Sequence, residues 1–402
     1  MAADSRDAAH QIVLVPGFFG FGRLGDLAYF NGVAAALRRR FEARGVPVAV
    51  TEVTTLPTAS IRVRAARVIE TLARVAALGT GPIHVIGHST GGLDARLAIA
   101  PTASLPTDVH DFDYARVKTL VSVCCPHFGT PLATLFSSTL GKPLLRLVAR
   151  YWIWVLRRGR LPLSIGLRLW YFVVRLRDPF RKRRGTFDEI YEKLLDNLTD
   201  ERRAELIAFL HAVSSDQSLL FQLTPAGCDL LNACTADPEL RYGSVVARSP
   251  GATWRRFFRS IRDLYPQIVY PIYALLHALI ARGENDFVPP PAPPQRERLL
   301  AAYGALPAPA DNDGMVPTNS QVWGELIHAA SGDHLDLVGQ FGFEDESGFS
   351  GDWLPSYAGF GRREFDEVWT RVADFLVDAV EAPSTETVGT ERTEKDVVTG
   401  DE

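Results

Sequence analysis

The sequence lacks several features that would place it quickly. Its 402 residues include only four cysteines, and two of these, Cys124 and Cys125, are adjacent in an apolar run. That excludes a disulfide scaffold and points to core thiols in a reducing compartment; Cys228 and Cys234 would pair only in an exported protein. No run approaches the roughly 20 uncharged residues of a spanning helix. The first ten residues are mixed and polar, and the apolar run after them is broken at Pro16 and Gly17. This is the pattern of a strand, not of a signal peptide, and a cytoplasmic location is expected. Positive charge is not in excess: the formal net charge of -4 gives no case for nucleic-acid binding by the whole chain. Internal repeats are also missing. Apolar residues are plentiful, and at 47% they are enough to build a sizeable core.

The most informative stretch is Ile83-His84-Val85-Ile86-Gly87-His88-Ser89-Thr90-Gly91-Gly92, an apolar strand that ends in Gly-x-Ser-x-Gly and opens into a helix-compatible segment. A serine on a sharp strand-to-helix turn needs neighbours at minus two and plus two with almost no side chain, and Gly87 and Gly91 meet that need. The helix that follows points its first NH groups and positive dipole end toward Ser89, where an oxyanion would form in acyl transfer. Upstream, the strand Gln11 to Pro16 runs into Gly17-Phe18-Phe19-Gly20-Phe21-Gly22. A glycine-rich loop there can bring a second backbone NH, that of Phe18, beside the nucleophile. Helix-like periodicity at Phe30 to Arg44 and Arg62 to Leu78 alternates with strands at Pro47 to Val53 and Val117 to Cys125. The alternation predicts an α/β fold with a mostly parallel central sheet flanked by helices.

Val13-Leu14-Val15-Pro16-Gly17-Phe18, Gly87-His88-Ser89-Thr90-Gly91-Gly92 and Pro126-His127-Phe128-Gly129-Thr130 resemble, in order and spacing, motifs of the bacterial triacylglycerol lipases and esterases of the α/β-hydrolase superfamily. The resemblance implies the α/β-hydrolase fold and a serine ester hydrolase. It departs at the first loop, where the family usually has His-Gly and this chain has Pro16-Gly17.

Such a serine needs a base and an orienting acid, in the chain order Ser, Asp, His. Of nine histidines, only His334 follows the last strand in a polar loop, Ser331-Gly332-Asp333-His334-Leu335-Asp336. Asp313, in Asp311-Asn312-Asp313-Gly314, precedes it by an interval that suits one helix and one strand; Asp286 is the alternative acid. The Asn-Asp-Gly and His-Leu-Asp runs also resemble the family's acid and base motifs. The family holds a calcium near the base loop through an aspartate two residues, and a glutamine six residues, after the histidine. The resemblance therefore implies Asp336 and Gln340, with Asp286 as a further carboxylate; the alternative is that they only brace the loop. No cofactor is expected for the chemistry itself.

Between Lys142 and Arg184 there are 13 Lys and Arg against one acid, Asp178, interleaved with Tyr151-Trp152-Ile153-Trp154 and Trp170-Tyr171-Phe172. Basic residues beside an aromatic-rich face describe an interfacial helix; the alternative is a cap whose arginines are merely solvated. A lid that touches membrane or lipid-droplet surfaces is expected. Tyr270 to Arg282 reads as a strand-like run, and Leu223-Thr224-Pro225 as a helix start with Thr224 capping. The expected organisation is a disordered N-terminus at 1–10 and a first part of the hydrolase core at 11–131. A lid and cap insertion at 132–235, a second core part at 236–380 and a disordered acidic tail at 381–402 follow. Lipid ester hydrolysis is the leading function. A phospholipase, thioesterase or polyester depolymerase, or a catalytically silent lipid-binding protein, are the alternatives.

Overall fold

The computed structural model describes residues 9–137 apart from 19, 21–22 and 25–26, scattered positions between 204 and 212, residues 215–283 apart from 235–239, 252 and 254–263, and residues 287–342 and 352–381. The basic, aromatic-rich stretch 142–184, the tail beyond 381, the first eight residues and Asp286 lie outside the described residues.

The strands are β1 (His10–Val15), β2 (Arg23–Leu24), β3 (Leu27–Ala28), β4 (Val48–Glu52), β5 (Ile83–His88), β6 (Val117–Val123), β7 (Arg241–Arg248) and β8 (Glu325–Ser331). β2 and β3 form a small antiparallel ribbon, and the other six make one sheet in the order β4-β1-β5-β6-β7-β8. Every pairing within that sheet is parallel. The helices are α1 (Val33–Ala43), α2 (Ile61–Ala76), α3 (Thr90–Ala98), α4 (Pro131–Ser137), α5 (Ser218–Gln222), α6 (Pro225–Cys234), α7 (Leu264–Ala281), α8 (Pro293–Tyr303) and α9 (Arg362–Glu381).

A parallel strand buried on both faces shows no polar alternation. In β1, Ile12 and Leu14 enter the core under α1 and α9, while Val13 and Val15 enter the core under α2 and α3. β5 divides in the same way, with Ile86 on the first face and Ile83 and Val85 on the second. Because the strands are parallel, the carboxyl ends of β1, β5, β6, β7 and β8 share one edge, where crevices form in such sheets. No described helix is long and apolar enough to cross a membrane.

One expectation is corrected. The run from Tyr270 to Arg282 is not a strand but most of α7. Its apolar residues nearly fill the segment, as in a buried strand, but the buried Tyr273, Leu276 and Ile280 recur at helical spacing. β7 was not legible, because its short apolar run is flanked by arginines and interrupted by Gly243. That glycine permits close packing: a Cβ there would stand 2.5 Å from Ile327 and 2.9 Å from Phe375. The predicted cap of α6 is present, with the Gly227 NH donating to Thr224 Oγ1 at 3.3 Å.

Candidate active site

Ser89 occupies the sharp turn between β5 and α3, at φ 54 and ψ -130. This is a positive-φ backbone that a non-glycine residue adopts only when its surroundings impose it. The constraint comes from both sides. The Ser89 NH donates to the Val123 carbonyl at 2.8 Å, and a Cβ at Gly87 would lie 2.5 Å from the backbone of Gly91 and Gly92. A serine at an N-cap ordinarily spends its hydroxyl on the helix's first NH groups, but here no such bond forms. The glycine-rich loop after β1 presses directly on the turn: a Cβ at Gly17 would stand 2.6 Å from Ser89 Cβ and 2.8 Å from the His88 carbonyl oxygen.

Asp313 and His334 lie together in the structure. His334 Nδ1 is 2.7 Å from Asp313 Oδ2, and the His334 NH donates to the Asp313 carbonyl at 2.9 Å. Both residues are buried. Asp313 Oδ1 accepts the NH groups of Met315 at 2.8 Å and Val316 at 2.7 Å, which turns Oδ2 toward the imidazole. Gln321 Nε2 donates to the same Oδ2 at 3.1 Å. Because a carboxylate only accepts, Nδ1 carries the proton and Nε2 is left as the basic nitrogen. The base loop is pinned by Trp369 of α9, whose Nε1 donates to the Leu337 carbonyl at 3.0 Å. His127 is held elsewhere: its Nε2 is 2.8 Å from Ser122 Oγ, and its ring stacks on Trp323.

Several residues that hold this site carried no motif. Arg64 of α2 is fully buried and donates from Nη2 to the carbonyls of Pro16 at 3.1 Å and Gly17 at 3.0 Å, and to Thr90 Oγ1 at 3.3 Å. It pairs with Asp94 of α3 at 2.7 Å. One guanidinium thus joins the glycine-rich loop after β1 to the helix that follows Ser89. Burial pushes the Asp94 carboxyl up to about 6, against the pull of Arg64. Cys124, at φ 50, lies beside Asp313, and burial together with that carboxylate pushes its thiol far up. Cys124, Cys125 and Cys228 are free and buried, as the core-thiol reading expected.

Two groups gather atoms of the kinds that ligate metals. Among the described residues, His88, Cys124 and His334 have donor atoms within 4.8 Å of one another. Both His88 nitrogens and His334 Nδ1 are already hydrogen-bonded, so this cluster is part of the site's own packing. The second group surrounds Asp336. Its Oδ2 accepts the Asp333 NH at 2.8 Å, and it lines a cavity of ≈ 290 Å³ with Asp352. Burial pushes Asp333 up to about 6 and pushes Asp336 and Asp352 well above the usual carboxylate range, with mutual repulsion adding to it. Asp333 Oδ2 is buried with no hydrogen-bond partner among the described residues. Hard carboxylate oxygens, one of them unsatisfied, form a donor set of the kind calcium takes. Gln340 Nε2 donates to the Ala28 and Tyr29 carbonyls at 3.0 and 3.2 Å, tying the His334 loop to the segment before α1, as the bracing alternative expects; a cation would take the other amide atom, Oε1.

The sheet order, the elbow after β5 and the loops gathered at the carboxyl edge are those of the α/β-hydrolase fold, as the three motifs implied. Residues 5–160 match the family model described as "Putative serine esterase (DUF676)". The lipase of Staphylococcus hyicus superposes with a TM-score of 0.53 at 17% identity, over 94% of this chain and 97% of that one. Lipase 1 from Pelosinus fermentans gives 0.47 at 17% identity, over 92% and 98%. A metagenomic carboxyl esterase gives 0.46 at 18% identity, over 91% and 76%.

Proposed function

We propose that this chain is a serine carboxylic-ester hydrolase that acts on lipid esters through an acyl-enzyme. The observation that carries the reading is the combination of a strained, uncapped Ser89 with a buried Asp313–His334 pair at 2.7 Å on the same edge of the sheet. His334 Nε2 takes the Ser89 proton as Oγ attacks the ester carbonyl, then returns it to the leaving alcohol; water repeats the sequence in reverse to release the acid. Asp313 holds the imidazole in the required tautomer and stabilises its charged form. The NH groups of Phe18 and Thr90 face the developing oxyanion. A bound calcium would supply charge compensation for Asp333, Asp336 and Asp352, and no step of ester cleavage runs through it. Segment 142–184, with its 13 basic residues and its aromatics, is proposed as a lid that brings the enzyme to anionic lipid surfaces.

The test is covalent labelling by a fluorophosphonate, with hydrolysis of a panel of esters graded in chain length. Wild type should label and turn over, whereas Ser89→Ala and His334→Ala should do neither while keeping the fold. An unlabelled, inactive wild type would overturn the proposal.

A further inference from the structure

The proposed chemistry makes no use of His88 or Tyr29, yet both are buried at the centre of the site. His88 Nε2 lies 2.9 Å from the His334 carbonyl oxygen, and a carbonyl only accepts, so Nε2 carries the proton. Burial pushes the His88 pKa well below its ordinary value. The ring is therefore neutral and Nδ1 is an acceptor. Tyr29 Oη, at 2.7 Å, must donate to Nδ1, and the same oxygen accepts the Gly17 NH at 2.9 Å. Every donor in this chain points the same way, from Gly17 through Tyr29 and His88 to His334. The chain joins loops that leave β1, β5 and β8, although β8 stands three places from β5 in the sheet order.

We infer that Tyr29 and His88 are positioning residues: the chain Gly17–Tyr29–His88–His334 holds the oxyanion loop and the base loop in register about Ser89. The inference rests on the esterase reading above. It differs from simple packing because the polar atoms, and not the rings, do the holding. Tyr29→Phe keeps the ring and removes the hydroxyl, which frees the Gly17 peptide and with it the neighbouring Phe18 NH. His88→Gln keeps a donor for the His334 carbonyl and leaves no acceptor at the Nδ1 position that Tyr29 meets. Both substitutions break the same Tyr29–His88 link.

The measurement is kcat and KM on a soluble 4-nitrophenyl ester for the two single variants and the double variant, with fluorophosphonate labelling of Ser89 in all of them and near-UV circular dichroism to establish the fold. An oxyanion contact acts in the transition state, so each single change should lower kcat about tenfold with KM nearly unchanged. The double variant should be no slower than the slower single, because coupled residues are not additive. Wild-type kcat in Tyr29→Phe, or losses that multiply in the double variant, would overturn the inference and leave the esterase reading intact. A wild type that does not label would overturn both. If one single variant fails to fold, the other decides the question through its own kcat and KM.

Discussion

Asp313 is surrounded by four donors, from the backbone NH groups of Met315 and Val316 and the side chains of Gln321 and His334. With Oδ1 fixed by the backbone, Oδ2 cannot swing away from the imidazole. Asp313→Asn keeps the shape but offers His334 an amide in place of a carboxylate, so the other tautomer is favoured. The rate should fall by a factor on the order of 10⁴, the loss measured for the corresponding change in a serine-protease triad. Steady-state hydrolysis of a soluble ester decides it, with circular dichroism showing the fold unchanged; a loss of only a few fold would remove Asp313 from the triad. His127→Ala should retain measurable activity, because its ring is bound to Ser122 and Trp323 and not to the Asp313–His334 pair. If His127→Ala were as inactive as His334→Ala, the base would have to be reassigned.

Between elements, the buried Arg64–Asp94 pair links α2, α3 and the loop after β1. Removing one member leaves a buried charge without its partner, so Arg64→Met should destabilise the protein by about 3–5 kcal/mol in urea titration. Arg64→Met with Asp94→Leu should recover most of that stability, since an apolar pair replaces the ion pair. It should not recover kcat, because the Pro16 and Gly17 carbonyls remain unheld. Full recovery of both would reduce Arg64 to a packing residue. This coupling also marks the limit of what the sequence discloses. The elbow, the oxyanion loop and the Asp313–His334 spacing were legible because backbone chemistry demands particular residues within a few positions: Gly87 and Gly91 beside Ser89, and a polar loop after the last strand. Arg64, Tyr29 and Asp352 were not legible, because each acts across the chain, 48 residues for Arg64 to Pro16 and 59 for Tyr29 to His88, through a side chain that any helix or loop could carry. α7 was misread as a strand because burial on several sides erased the polar face that separates the two periods, and β7 was missed because Gly243 and its flanking arginines hide three core residues.

At the scale of the whole molecule, two sets of buried titratable groups pull stability in opposite directions. Burial lowers His10 and pushes His84 down to about 3. The two rings are 2.9 Å apart, nitrogen to nitrogen, with Thr119 on the far side of His84. A depressed histidine contributes stability above its unfolded pKa near 6.5, and that contribution is lost as pH falls through the folded value. The carboxyls of Asp333, Asp336 and Asp352 are raised. Theirs is the opposite case: stability is present while they are protonated and is lost as pH rises through the folded value, about 6 for Asp333. Without a divalent cation the molecule is therefore squeezed from both sides, losing the histidine contribution as pH falls below about 6.5 and the carboxyl contribution as pH rises above about 3.9. Calcium binding to the three carboxylates acts only on the alkaline side, where they must ionise. It should raise Tm increasingly from about pH 6 upward and leave the acid limb unchanged, because a ligand stabilises only to the extent that it binds the folded state. Differential scanning fluorimetry between about pH 4 and 9, with EDTA and with calcium, tests this directly. Asp333→Asn should flatten the alkaline decline in EDTA and weaken the response to calcium, whereas parallel curves with and without calcium would show that the three acids hold no ion.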